Sequence, residues 1–217
     1  MLTIWGRADS SNVQALMWCV AELDLLHRRI DAGHRFGGTD TPDFLAMNPN
    51  GTVPVLKDGD APPLWETGAI LRYLATRYAP ESFWPSDPLA RADVDRWAEW
   101  AKINVAMAFT GPVFWRVWRT PPERRDPTAI AVALEALGHK LAIADARLAS
   151  RRFLVCDTLT LADIQFGHIL YRYFTISIER PDLPHLRAYY DRLTERPAYC
   201  RHVMVSIEAL RDQCPTS

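Results

Sequence analysis

The sequence predicts a chain in two parts, a mixed α/β half followed by a half built of helices alone. Strand-like and helix-like segments alternate as far as about residue 80. Pro80, Pro85 and Pro88 then break the pattern between Ala79 and Pro88. Beyond them the apolar residues recur at helical spacing and no strand is needed. A chain of 217 residues is long enough for one large or two modest domains. We therefore expect one domain over residues 1–80 and a second over residues 88–217.

Each element has its own signal. Leu2–Gly6 is a short first strand. Val13, Leu16, Met17 and Val20 follow at helical spacing behind Ser10–Ser11–Asn12, all good helix caps. His27–Ile30 is a second strand, and Thr41–Pro42 opens a short helix over Asp43–Met47, because Pro suits the first helical turn. Val53–Leu56 and Pro63–Trp65 are strands joined by the turn Asp58–Gly59–Asp60. Ile70, Leu71, Leu74 and Tyr78 mark the next helix. The order β-α-β-α-β-β-α is that of a compact sheet with helices on its faces. Asp87–Pro88 starts a long helix with Val94, Trp97, Ala101 and Val105 on one stripe. Further helices are predicted over Pro127–Ala149, from the capping box Thr160–Leu161–Ala162–Asp163 to about Ile178, from Pro184 to near Arg196, and over Tyr199–Leu210.

Composition removes several classes of function. With 25 basic and 26 acidic residues the formal charge is −1, so charge makes no case for a nucleic-acid or membrane-surface partner. No apolar run approaches the length of a membrane span. The first residues lack a basic segment followed by an apolar stretch and read as a strand rather than a signal peptide. The four cysteines, Cys19, Cys156, Cys200 and Cys214, form no C-x-x-C pair, which argues against a metal site or dithiol chemistry. A reducing, cytoplasmic setting is the simplest reading.

The most informative stretch is Asn48–Pro49–Asn50–Gly51–Thr52–Val53–Pro54–Val55–Leu56, followed by Trp65–Glu66–Thr67–Gly68–Ala69–Ile70. Pro cannot donate to a sheet ladder, so Pro54 in such a run is either an ordinary edge-strand residue or half of a cis X-Pro bond. In the second case the backbone of Val53 turns outward, where it can pair with an extended peptide. Glu66 and Thr67 stand beside it at the mouth of a helix, a position suited to a carboxylate. Thr67 serves equally well as a plain N-cap.

These runs, with Ile4–Trp5–Gly6–Arg7–Ala8–Asp9–Ser10–Ser11–Asn12–Val13 and Arg35–Phe36–Gly37–Gly38–Thr39–Asp40–Thr41–Pro42–Asp43–Phe44–Leu45, resemble the cytosolic-type glutathione transferases over essentially the whole chain. Within that family they are most similar to a bacterial group of the theta-like, serine-type lineage. The resemblance implies a thioredoxin-like first domain, an all-helical second domain, a homodimer, reduced glutathione as cosubstrate, and attack of its thiolate on a small electrophile. It also implies that Ser10 donates to the sulfur, with Ser11 and Asn12 as alternatives. All three also suit capping of the first helix. Other members of the lineage place a Cys or an Arg close after the Ser, where this chain has Val13 and Gln14. Val53 is implied to pair with the cysteinyl part of the peptide, Pro54 to be cis, Glu66 to accept the γ-glutamyl ammonium and Thr67 to bind its carboxylate. His34 and Arg35 are candidates for the glycyl carboxylate. For the electrophile pocket the candidates are Met107, Phe109, Phe114, Trp115 and Trp118, although an aromatic stripe at this spacing serves a core equally well. Asp163 reads as structural. Two other activities on the same fold stay open: a ligand-binding protein without turnover, and an isomerase or dehalogenase that uses glutathione catalytically.

Overall fold

The computed structural model describes residues 1–213; Cys214 lies outside the described residues. The first half is a four-stranded sheet in the order β2-β1-β3-β4. Strand β1 (Leu2–Trp5) runs parallel to β2 (His27–Ile30) and antiparallel to β3 (Val55–Asp58), and β4 (Leu64–Trp65) closes the edge. Helix α1 (Ser11–Glu22) crosses between β1 and β2, α2 (Pro42–Met47) precedes β3, and α3 (Thr67–Tyr78) follows β4. The ladder starts at Val55 rather than Val53. Pro54 has no N–H to donate, and the Val53–Pro54 peptide bond is cis, so these two residues stand before the strand.

Every residue of α1 from Val13 to Val20 is buried. A helix apolar all round has to be central, and α1 is the element that both halves share. The fully buried Trp18 meets Tyr199 edge-on at 4.8 Å. One continuous apolar core runs from β1 and α1 through Ile70 and Leu74 into the helical half at Phe109, Phe166 and Tyr189.

The helical half begins with α4 (Pro88–Trp100), capped by Asp87, whose carboxylate accepts from the Ala90 N–H at 2.8 Å. The helical column continues to Arg119, but over Ala101–Ala106 and Thr110–Arg119 it widens to π geometry. Pro112 cannot supply the amide hydrogen an α-helix needs, and an i→i+5 ladder carries the chain past it. Then come α5 (Pro127–Leu148), α6 (Leu161–Gly167), α7 (Leu170–Thr175), α8 (Pro184–Thr194) and α9 (Pro197–His202).

Two segments depart from the expected helices. The one from Thr160 breaks into α6 and α7, and the Gly167 carbonyl at the break accepts from the Tyr199 hydroxyl at 2.9 Å. Helix α7 stops at Thr175 because Arg180 folds back onto the Tyr173, Ile176 and Ile178 carbonyls. The last helix spans Pro197–His202 instead of Tyr199–Leu210. Beyond it the chain is drawn across the molecule by Trp118, whose indole donates to the Ile207 carbonyl at 3.0 Å.

Asp163 closes the start of α6 as a capping residue should. Its carboxylate is fully buried and accepts from the Thr160 N–H at 2.8 Å, the Thr160 hydroxyl at 2.9 Å, the Leu154 N–H at 2.9 Å and the Tyr189 hydroxyl at 3.0 Å. Replacing it by Ala strands four buried donors, and leaving buried groups unpaired costs about 1–3 kcal/mol each before relaxation. Asp163→Ala should therefore lower the urea midpoint by an amount equivalent to about 3 kcal/mol or more. An unchanged midpoint would mean that the capping network does not hold the helical half.

Candidate active site

The loop leaving β1 runs through Arg7, Ala8 and Asp9 into Ser10, the N-cap position of α1. Ser10 is extended, with φ −83° and ψ 126°, and its hydroxyl makes no bond to its own helix. Ser11 is the first helical residue. Ser10, Ser11 and Asn12 all line a cleft of about 350 Å³ between the two halves. The first amide groups of a helix have no intrahelical acceptor, and they face the same region where the helix dipole favours negative charge. The capping role expected of one of these three side chains is thus not taken by Ser10.

Asn12 is held from the other half. Lys102 Nζ, on the widened part of the long helical column, donates to Asn12 Oδ1 at 2.9 Å. An ammonium has only donors, so the amide oxygen must face it and the amide NH2 must point the other way. Burial pushes the Lys102 pKa down, opposed by the nearby Glu66 and Glu99 carboxylates.

Val53 contributes to the same cleft, with Gly33, Gly51 and Thr52 around it. Gly51 has φ +62°, and a Cβ there would come within 3.1 Å of the Thr39 carbonyl oxygen, so this turn requires glycine. Glu66 occupies the N-cap position of α3 with φ 68° and ψ 114°, a backbone region that residues other than glycine rarely enter. Such a conformation costs of order 1–3 kcal/mol and is characteristic of ligand clamps. Thr67 is the first residue of α3, not its N-cap, and is 4% exposed.

The opposite wall comes from the π-helical segment, which presents Thr110, Phe114, Trp115 and Arg119 to the cleft. The pairs 110/115 and 114/119 are each five apart, which is the π-helical repeat. Phe109 and Trp118 are buried in the core instead, at 1% and 7% exposure. Met107 is 63% exposed and does not line the cleft.

The floor is cationic. Arg172, on α7, is 4% exposed; its guanidinium donates to the Asp9 carbonyl at 2.7 Å and to Gln14 Oε1 at 3.2 Å, and lies 4.9 Å from the Phe114 ring centre. Burial, and then Arg7 and Arg119, lower its pKa to about 10. His34 is likewise lowered by burial and by Arg7 and Arg119. The Asp9 carboxylate takes Arg35 at 2.5 Å and Arg7 at 3.1 Å. Arg35 is thereby drawn onto Asp9 and does not itself line the cleft. Among the described residues no group of three or more His, Cys, Asp or Glu is placed to hold a metal ion.

Sequence reasoning missed Arg7, Asp9, Lys102, Arg119 and Arg172. Arg7 and Asp9 lie in the quoted loop, and Arg172 interrupts an otherwise apolar helix, which is a readable signal for a buried charge with a task. Lys102 meets Asn12 across 90 residues of chain, and no local pattern announces that.

A thioredoxin-like sheet, an all-helical second half, and a cleft where the first helix meets both define the architecture of the glutathione S-transferases, and this chain belongs to that family. Residues 9–77 match the model of the glutathione S-transferase N-terminal domain, and residues 106–197 that of the C-terminal domain. The chain is 38% identical to glutathione S-transferase GstB of Escherichia coli over 208 residues, covering 95% of this chain and all of the relative. It is 31% identical to glutathione S-transferase 3 of Zea mays, covering 93% of each. Among solved structures it is similar to a theta class glutathione S-transferase from Xanthomonas axonopodis pv. citri with glutathione bound. That match has 47% identity and a TM-score of 0.89, and covers 95% of this chain and 98% of the other.

Proposed function

We propose that this protein is an enzyme, a glutathione S-transferase that ionises the thiol of reduced glutathione and directs it at a small electrophile. The observation that carries the proposal is the Ser10 hydroxyl, unused by its own helix, opening at the N-terminus of α1 into a cleft shared by both halves. A free thiol has a pKa of about 8.5, so only a few per cent is thiolate at neutral pH. A hydroxyl donor and helix N–H groups aimed at sulfur favour the thiolate, by about 1.4 kcal/mol for each unit of pKa. The released proton passes to solvent. The sulfur then forms its bond to the electrophilic atom, and the leaving group departs with its electron pair or the pair moves into an activated π system.

In this reading residues 1–80 hold the peptide. Val53 pairs with its cysteinyl backbone beside the cis Pro54, Glu66 accepts the γ-glutamyl ammonium, and Thr67 with the start of α3 binds the γ-glutamyl carboxylate. The strained backbone at Glu66 supports that clamp. His34, which lines the cleft, takes the glycyl carboxylate in preference to Arg35, which is held on Asp9. The described residues from 88 onward supply the electrophile side through Trp115 and Phe114. The protein acts in a reducing cytoplasm, in detoxification. The reduced thiols of Cys19, Cys156 and Cys200 accord with that setting, and no helix among the described residues is long and apolar enough to cross a membrane.

The working unit is a homodimer. The family resemblance points to the long helix bearing Trp97 and Trp100 as the contact region, but both side chains pack partly buried against the core of their own chain. Leu89, Ile103 and Met107, exposed along the α4 column, are the better candidates. Sedimentation at micromolar concentration should give a species of about twice the 24.7 kDa chain mass. A lone monomer peak would remove the dimer from the account.

Glu66→Ala and Thr67→Ala should each weaken glutathione binding by about 1–3 kcal/mol, as expected for loss of a hydrogen bond to a charged group. Calorimetry checks this, and a folded wild-type protein that binds no glutathione would refute the site assignment.

Ser10→Ala should depress turnover at pH 7 with most of the affinity for the peptide retained, and the deficit should shrink as pH rises and thiolate forms unaided. The pH–rate profiles of Ser10→Ala, Ser11→Ala and Asn12→Ala with one reactive electrophile decide the assignment. A wild-type profile for Ser10→Ala beside a shifted one for Ser11→Ala or Asn12→Ala would transfer the role to that residue.

A further inference from the structure

The bond that ties Asn12 to the helical half leaves a donor of the catalytic turn unused. Asn12 is the second residue of α1 and lines the cleft, whereas Lys102 does not. Lys102 Nζ takes the amide oxygen at 2.9 Å from outside the cleft. The NH2 of the same amide donates to none of the described residues, so both its hydrogens are free. A half-turn of the side chain would exchange oxygen and nitrogen, and only a partner made of donors alone fixes which end faces which way. The backbone bends to make this contact. The column turns to π geometry at Ala101, and the Lys102 carbonyl accepts from the Met107 N–H five residues on. Pro112 accounts for the second widened stretch, but Ala101–Ala106 holds no proline. π-Helical turns are rare and gather at functional sites.

Lys102 is partly buried, and the one hydrogen bond of its side chain among the described residues goes to a neutral amide. The titratable groups that act on it are Glu66 at the head of α3, Glu99 on α4 and His168 between α6 and α7. Glu99 is taken by Arg72. His168 is held neutral, its pKa lowered to about 3 by burial and then by Lys102 itself. An ammonium withdrawn from water is costly unless something compensates it. The amide it grips passes its field on. Drawing electron density from the carbonyl oxygen makes the amide N–H a stronger donor, since hydrogen bonds in a chain polarise one another.

We propose that Lys102 is a positioning residue for thiol ionisation: it fixes the Asn12 amide with its NH2 toward the glutathione sulfur, so that Asn12 joins Ser10 as a donor to the thiolate. This inference rests on the transferase reading and deepens it by bringing the helical half into the activation of the thiol. Lys102 stays outside the cleft and acts through Asn12. No covalent bond to either residue forms or breaks. As the thiol gives its proton to solvent, the charge on sulfur is met by two neutral donors, a hydroxyl and an amide, with the ammonium one hydrogen bond behind. Donors of this kind favour the charged form of the group they face. Ionisation then depends on the docking of the two halves, because the amide and the ammonium that holds it are 90 residues apart.

Titration of the bound glutathione thiol by its ultraviolet absorption tests this. Lys102→Met should raise the midpoint by about one pH unit, which is about tenfold less thiolate for each thiol at a given pH. Lys102→Arg should recover part of the shift. Asn12→Ala should raise the midpoint by a similar amount, and adding Lys102→Met to it should raise it no further, because residues that act through one another are not additive. S-methylglutathione has no thiol to ionise, so its affinity should be unchanged in Lys102→Met, which a collapse of the site would not allow. One measurement needs no lysine variant. In the wild-type protein the side-chain NH2 resonances of Asn12 should shift with pH at the midpoint of the bound thiol, and should not do so when S-methylglutathione is bound. An unmoved midpoint in folded Lys102→Met, a shift that adds in full to that of Asn12→Ala, a matching loss of affinity for S-methylglutathione, or Asn12 resonances that ignore the thiol would overturn the positioning role and leave the transferase reading intact. A wild-type protein whose bound thiol titrates like free glutathione would overturn both.

Discussion

A buried guanidinium holds the two halves in register. Arg172 reaches from α7 of the helical half to the backbone of the loop that carries the catalytic candidates, donating to the Asp9 carbonyl and the Gln14 side chain. Asp9 immediately precedes Ser10, and Gln14 lies one helical turn beyond it, so the start of α1 is gripped on both sides of the proposed thiol donor. Burying such a charge is costly unless it is hydrogen-bonded. The bonds Arg172 makes are those that place the loop, so the placement of the catalytic turn and the docking of the helical half are one requirement. Nearby, Gly167 of α6 fits against Trp18, where a Cβ would come within 2.9 Å of the indole, and Arg196 clasps Glu22 at 2.6 and 2.8 Å. Helix α1 is thus fixed along its length by the half that follows it.

That arrangement explains how a chain of nearly zero net charge builds a strongly cationic cleft. Each arginine arrives from a different element: Arg7 from the β1 loop, Arg119 from the end of the π-helical segment, Arg172 from α7. None of the three is part of a basic run. The widened helix matters here as well, since Thr110, Phe114, Trp115 and Arg119 share a wall only because Pro112 forces a longer repeat on the column. Charge and aromatic surface meet at the junction because the fold brings separate segments together there, where Asp9 holds Arg7 through its carboxylate and Arg172 through its backbone carbonyl.

The parts of the molecule written in local patterns were legible from the sequence. The succession of strands and helices and the caps at Thr41, Asp87 and Thr160 follow from apolar spacing and from hydroxyl or carboxylate capping, whereas the cis Pro54 follows from the family resemblance, Pro chemistry alone allowing either isomer. Ser10, Ser11, Asn12 and Val53, the residues that the family resemblance singles out, line one cleft. What was not legible depends on tertiary contact. The split between α6 and α7 coincides with a bond from Tyr199, 32 residues away, and the early end of α9 follows a pull from Trp118. Asn12 is met by Lys102, 90 residues away, and Asp9 by Arg35 and Arg172, 26 and 163 residues away. Met107 reads as a pocket residue in a regular helix, and the change to π geometry before and after it leaves it facing outward.

The central claim is that this junction lowers the pKa of a glutathione thiol, and the most direct test is to titrate that thiol while it is bound. The ultraviolet absorption of the thiolate, followed against pH for the wild-type protein saturated with glutathione and corrected for protein alone, reports the ionisation without any second substrate. The account predicts a midpoint at or below neutral pH, at least about 1.5 units under the value of about 8.5 for a free thiol. A bound thiol that titrates with the same midpoint as free glutathione would contradict it.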